Sequence, residues 1–145
     1  MSHHCRATVL VCEDFRLHQR VDGRNYISDF IKSLSGDCDI ITRGGGVLDI
    51  VRPAESGFRE SVVRDLKVST ELHQVKEIYL INHEDCGAYG SMNFSSKDEE
   101  LKQHFRDLKK AKKIIGEEFK QIKIKIFFAE LVIDSFDKFV FKEVA

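Results

Sequence analysis

The chain has 145 residues, a length that suits a single domain over residues 1–145 built around one core. Its hydrophobic fraction of 42%, charged fraction of 32% and formal net charge of −1 are ordinary for a globular protein. They exclude a global electrostatic pull toward nucleic acid or anionic membrane, and with Pro53 as the one proline they also exclude a long proline-rich linker.

At the N-terminus, Met1-Ser2-His3-His4-Cys5 lacks the basic stretch, apolar run and small-residue cleavage site of a signal peptide. No apolar run approaches the ~20 residues of a membrane helix. These features predict a cytoplasmic protein with no membrane or nucleic-acid partner, whose Cys5, Cys12, Cys38 and Cys86 stay reduced. No Cys-x-x-Cys is present, so metal or catalytic use is the default for these thiols. His3, His4 and Cys5 could catch stray metal, but a flexible terminus is the simpler reading.

Ala7 to Val11 (ATVLV) is a nearly continuous apolar run, the pattern of a strand buried on both faces. Asn25 to Leu34 predicts a helix, with Tyr26, Ile27, Phe30, Ile31 and Leu34 at helical spacing and Gly36 where it should stop. Asp39 to Thr42 predicts a second strand, ending at Gly44-Gly45-Gly46, and Val47 to Val51 reads as a short helical or irregular segment before Pro53. From Glu55 the helical period returns, with Ser56 as N-cap and Phe58, Val62, Leu66 and Leu72 on or near one face. Glu77 to Asn82 (EIYLIN) predicts a third strand, followed by His83-Glu84-Asp85-Cys86-Gly87. A long amphipathic helix is expected from roughly Lys97 to Gln121, with Leu101, Phe105, Leu108, Ile115 and Phe119 as its core stripe. Lys109, Lys110, Lys112 and Lys113 lie off that stripe and read as a solvated face. Ile122 to Phe128 predicts a fourth strand, and the tail from Glu130 to Val144 one more edge strand with a turn at Asp134-Ser135-Phe136-Asp137.

Strand–helix alternation predicts an α/β fold, a central and mainly parallel β-sheet of four to five strands flanked by helices. In such sheets ligands gather at the carboxyl ends of the strands. Cys12, the glycine run and His83–Cys86 each lie just past an expected strand, so three separated segments should meet at one edge. Cys38 lies near the start of the second strand, on the expected opposite edge.

Cys12, His83 and Cys86 offer two thiolates and an imidazole, a soft and borderline set that zinc favours. Cys₂His with one open position is a catalytic arrangement, whereas structural sites take four protein ligands. Asp14 and Arg16 follow Cys12 at intervals of two, so in extended chain all three face one side. A carboxylate there can orient a zinc-bound water, or bind the metal and close the site, and an arginine can hold it off the metal by a bidentate pair. Zinc lowers the pKa of bound water to ~7, which supplies hydroxide for attack on an electrophilic carbon. Cys12 alone would read as a buried small hydrophobe, and Asp14–Arg16 as a structural ion pair; their joint spacing favours the metal. Gly44 to Gly46 read as a tight turn, as does Gly87, and Gly44, Gly45 and Gly87 are the backbone positions expected to border a substrate pocket. His18, Glu84, Asp85 and Tyr89 are possible proton-relay groups that the sequence does not rank.

Cys12-Glu13-Asp14-Phe15-Arg16 and His83-Glu84-Asp85-Cys86-Gly87 resemble the Cys-x-Asp-x-Arg and His-x-x-Cys-Gly motifs of the β-carbonic anhydrases, with Arg43-Gly44-Gly45-Gly46 in place of the family's middle turn. The resemblance runs from Ala7 to about Val132. It implies one zinc ion per chain on Cys12, His83 and Cys86, and an Asp14–Arg16 dyad beside the water. It also implies a lyase that converts carbon dioxide and bicarbonate, and a homodimer or larger oligomer. Phe15 stands where many members have Ser, and the middle turn lacks their Asn and Ala. Eleven residues precede Cys12, so the family's N-terminal helical arm is expected to be absent. Two rival readings share the scaffold. One is a hydrolase of carbon disulfide or carbonyl sulfide, and the other a non-catalytic zinc-binding relative with an interaction or regulatory role.

Overall fold

Alternation along the apolar runs sorts the core onto two faces of one sheet. In the computed structural model, which describes residues 3–145, the strands are β1 (Ala7–Val11), β2 (Cys38–Thr42), β3 (Glu77–His83), β4 (Lys123–Leu131) and β5 (Phe139–Glu143). Their order is β2-β1-β3-β4-β5; the first four are parallel, and β5 runs antiparallel on the edge of β4. Leu10, Ile78, Leu80, Ile126 and Phe128 point to one face and meet α2 (Leu48–Val51), α3 (Phe58–Leu72) and α4 (Lys97–Glu118). Val9, Val11, Tyr79 and Ile81 point to the other, against Ile27 and Phe30 of α1 (Tyr26–Ser33). Each fully buried aliphatic side chain in these layers contributes ~1.5–3 kcal/mol. The fold is the α/β arrangement that the alternation predicts.

Helix starts follow local capping. Asn25 accepts the Ser28 N–H at 2.8 Å to begin α1, and Ser96 accepts the Glu99 N–H at 3.2 Å to begin α4. Asp98, Glu99 and Glu100 in the first turn of α4 favour its positive end. Ser56 does not cap α3. The chain enters through Gly57 at φ +94°, and Gly57 occupies the cap without a side chain. Leu72, expected near the buried face, is 64% exposed because it is the last helical residue. α4 ends at Glu118, short of Gln121, and β4 gains three residues beyond Phe128 by pairing with β5. The turn between β4 and β5 places Asp134 at φ +61° and closes with the Val132 N–H on Lys138 O at 2.8 Å.

Cys5 is not a loose end. Its N–H donates to His73 O at 3.3 Å, and the next N–H, from Arg6, donates to Asp37 O at 2.7 Å. No helix among the described residues is long and apolar enough to cross a membrane.

Candidate metal centre

Cys12 follows the last residue of β1, and His83 is the last residue of β3. Cys86 lies three residues on, before a 3-10 turn over Gly87–Tyr89. The sheet therefore delivers all three to its carboxyl edge, as expected of a parallel sheet. One ligand atom from each lies within 4.8 Å of the other two, and all three residues are buried.

The chemistry of this set can be tested on His83. Its Nδ1 lies 2.8 Å from Glu84 O. A carbonyl only accepts, so Nδ1 carries the hydrogen and Nε2 presents a lone pair. That Nε2 is buried and has no hydrogen-bond partner among the described residues. A buried acceptor without a donor is costly, unless a cation takes its lone pair. The two thiols are electronically unequal. A hydrogen bond from Cys86 pulls Cys12 well below the usual thiol range, and Cys86 is pushed up by that same bond and by burial. A cation between them would relieve both the shared proton and the orphaned imidazole. Cys12, His83 and Cys86 fit a zinc-type ion in donor set and convergence.

Asp14 and Arg16 reach the site by a different geometry from the extended one. The strand stops at Val11, and Asp14 caps a 3-10 turn over Phe15–Leu17 by accepting the Arg16 N–H at 2.9 Å. That turn brings the guanidinium back onto the carboxylate, with Nε–Oδ1 at 3.0 Å and NH2–Oδ2 at 2.7 Å. Arg16 NH1 also donates to Asp85 Oδ2 at 3.0 Å and Phe136 O at 2.8 Å, and NH2 to Asp85 O at 2.9 Å. Every donor of the guanidinium thus has an acceptor. Burial raises the Asp14 carboxyl, but the hydrogen bonds and positive charge of Arg16 outweigh it and hold Asp14 below the ordinary carboxylate range.

The glycine turn closes one side. Gly45 (φ +84°) donates its N–H to Cys12 Sγ at 3.5 Å. A Cβ on Gly46 would stand 2.4 Å from Asn82 Oδ1 and 2.7 Å from Ile81 O, so only glycine fits there. Gly44 lies beside Glu13 and Ala88, and Gly87 faces open space.

The expected relay candidates have structural partners. His18 Nε2 meets Cys12 O at 2.8 Å. Glu84 Oε1 accepts the Leu131 N–H at 3.2 Å and pairs with Lys97 Nζ at 3.3 Å. Tyr89 donates to Asp107 Oδ2 at 2.7 Å and accepts from Asn82 Nδ2 at 3.0 Å; burial first and Asp107 second push its hydroxyl pKa up.

Sequence reasoning missed the support behind the loop. Glu100, His104 and Asp107 are buried on α4. Glu100 Oε1 accepts the Asp85 N–H at 2.6 Å, which fixes Asp85 at φ +60° between His83 and Cys86. His104 Nδ1 meets Asn82 Nδ2 at 2.9 Å, and Asn82 Oδ1 accepts the Val47 N–H at 3.0 Å. The available signal was the i, i+4, i+7 spacing of three polar residues flanking the apolar stripe.

Comparison with known proteins bears on the family and the fold. A family model described as "Putative carbonic anhydrase" matches residues 2–137. An uncharacterized protein of Rickettsia bellii (strain RML369-C) is 30% identical over 128 residues, taking in 83% of this chain and 74% of its own length. A tetrameric β-carbonic anhydrase from Sordaria macrospora shares the fold with a TM-score of 0.63 at 13% identity, over 100% of this chain and 82% of that one. The apo form of a carbon disulfide hydrolase gives a TM-score of 0.52 at 18% identity, over 90% and 76%. The family match spans nearly all of the described chain, and the chain therefore belongs to the family of that model, with the fold of the β-carbonic anhydrases.

Proposed function

We propose that this protein is a zinc enzyme that combines carbon dioxide with water to give bicarbonate and a proton, reversibly. The observation that carries the reading is the orphaned His83 Nε2, buried between two unequal thiols and 3.8 Å from Asp14 Oδ2. Cys12 Sγ, His83 Nε2 and Cys86 Sγ would hold one zinc ion per chain. Zinc supplies a Lewis acid there, which makes water nucleophilic at a pH of about 7.

The chain's own residues do the rest. Asp14 stays ionised at neutral pH and accepts the hydrogen of the attacking water, which orients the oxygen lone pair toward the carbon. Arg16 holds Asp14 in place and away from the metal, and is itself anchored by Asp85 and the Phe136 carbonyl. The Gly45 N–H steadies the Cys12 thiolate. The proton released leaves toward solvent past Asp14.

A homodimer or larger assembly accords with the apolar surface beside the site, where Phe15 is 67% and Phe136 72% exposed.

The test is to compare turnover of carbon dioxide, carbonyl sulfide and carbon disulfide by the zinc-loaded protein. The highest kcat/KM on carbon dioxide supports the proposal. Turnover of the sulfur gases alone would reassign the substrate. No turnover of any gas, with zinc in place and Asp14 bound to it, would identify a non-catalytic relative.

A further inference from the structure

A second set of metal-ligating side chains lies at the opposite end of β1. Cys5, two residues before β1, Asp39 in β2 and His73, just after α3, place one ligand atom each within 4.8 Å of the others. These are a thiol, a carboxylate and an imidazole from three separate segments. No motif spacing unites them; the fold alone does. We propose that Cys5, Asp39 and His73 form a second site for zinc or a similar borderline divalent cation.

Three features make this a built site. The first is a fixed carboxylate. Asp39 Oδ2 accepts the Ser69 hydroxyl at 2.6 Å, and Ser69 is in turn hydrogen-bonded to Thr8 of β1. Such outer partners set the orientation of a metal-binding carboxylate. The second is fixed backbone on both sides of the set. The Cys5 N–H donates to His73 O at 3.3 Å, and the His73 N–H donates to Ser69 O at 3.0 Å. The third is access. Asp39 and His73 of the set line a groove of about 420 Å³, together with Ile41, Thr42, Asp65 and Ser69.

His73 Nδ1 lies 2.6 Å from Asp39 Oδ2, so a cation entering between them has to part the pair by only a fraction of an ångström to reach normal bond lengths of about 2.0–2.3 Å. The His3 ring stands edge-on to that of His73, with centroids 6.4 Å apart, and is not part of the converging set. Bound metal would tie the segment before β1 to β2 and α3. The set shares no residue with the carboxyl-edge site, so the inference stands or falls separately from the proposed activity.

The test is zinc content per chain for the untagged full-length protein, after saturation and exhaustive dialysis against metal-free buffer. Wild type should retain about two zinc ions. Cys5→Ser and His73→Asn should each retain about one, with carbon dioxide hydration unchanged. Cys12→Ser with Cys86→Ser should also retain one. Cobalt added to that double variant should show a thiolate-to-cobalt absorption band that disappears when Cys5→Ser is added. One zinc per chain in wild type that Cys86→Ser removes, a second zinc removed by dialysis, or full retention in His73→Asn would each overturn the proposal. These outcomes are distinguishable from failure of the carboxyl-edge site, which would appear as unchanged zinc content in Cys86→Ser.

Discussion

Asp14 Oδ2 is shared between two neighbours of different strength: it lies 2.7 Å from Arg16 NH2 and 3.8 Å from His83 Nε2. The arginine holds the carboxylate beside the His83 imidazole without letting it move into contact with it. Arg16 can do so because Asp85 and the Phe136 carbonyl absorb its remaining donors. In the proposed mechanism Asp14 is therefore a positioned acceptor.

Asp14→Ala should leave zinc content near one per carboxyl-edge site and lower kcat/KM for carbon dioxide by roughly 10²-fold or more, the usual share of a positioned proton acceptor. Stopped-flow kinetics alongside metal analysis checks both. Full activity in Asp14→Ala would remove Asp14 from the mechanism.

The same pair gives a pH signature in stability. A carboxyl group held below its unfolded value of about 3.9 contributes stability that is complete above that value, and loses it as pH falls through the lowered folded value. Asp14→Asn should therefore lose less stability than wild type as pH falls below ~4. Urea unfolding of the two proteins at pH ~6 and ~3 measures the difference. Parallel pH profiles would show that the Arg16 bond does not shift Asp14.

Glu100 never touches the metal ligands but holds the loop between two of them through the Asp85 N–H. Glu100→Ala should weaken zinc binding by roughly 10–100-fold, as loss of an outer-shell partner does. Glu100→Gln, which keeps an acceptor oxygen, should retain most of the affinity. Competition with a chromophoric chelator separates the two variants. Equal affinity in wild type and Glu100→Ala would mean that the loop is held from elsewhere.

Gly46→Ala should destabilise the fold by about 2 kcal/mol or more, because it combines a left-handed φ of +61° with contact against Asn82 and Ile81 O. The displaced turn should also withdraw the Gly45 N–H from Cys12. Thermal unfolding checks the first effect. Unchanged Tm would show that the turn has room to shift.

The strands were legible because burial on both faces leaves near-continuous apolar runs, as in Ala7–Val11 and Glu77–His83. The convergence of Cys12, His83 and Cys86 was legible for a related reason: each stands at or just past the end of a parallel strand, and the topology does the rest. The Asp14–Arg16 contact was anticipated, but its geometry was not. Alternation along an extended chain has no room for the 3-10 turn that Asp14 caps. Arg16's bonds to the Asp85 and Phe136 carbonyls leave no trace in residue identity, since any residue offers a carbonyl. Glu100, His104 and Asp107 looked like the polar flank of an amphipathic helix, and only the packing of α4 on β3 turns that flank inward. Cys5 read as a free terminus because Asp39 and His73 are distant in sequence.

Stopped-flow carbon dioxide hydration by protein loaded with zinc, run beside Cys86→Ser at pH ~7 and above 8, tests the central claim most directly. The account predicts turnover by wild type that is lost in Cys86→Ser together with the zinc at the carboxyl edge. Equal rates in the two proteins, or no turnover by wild type at either pH with zinc bound, would contradict it.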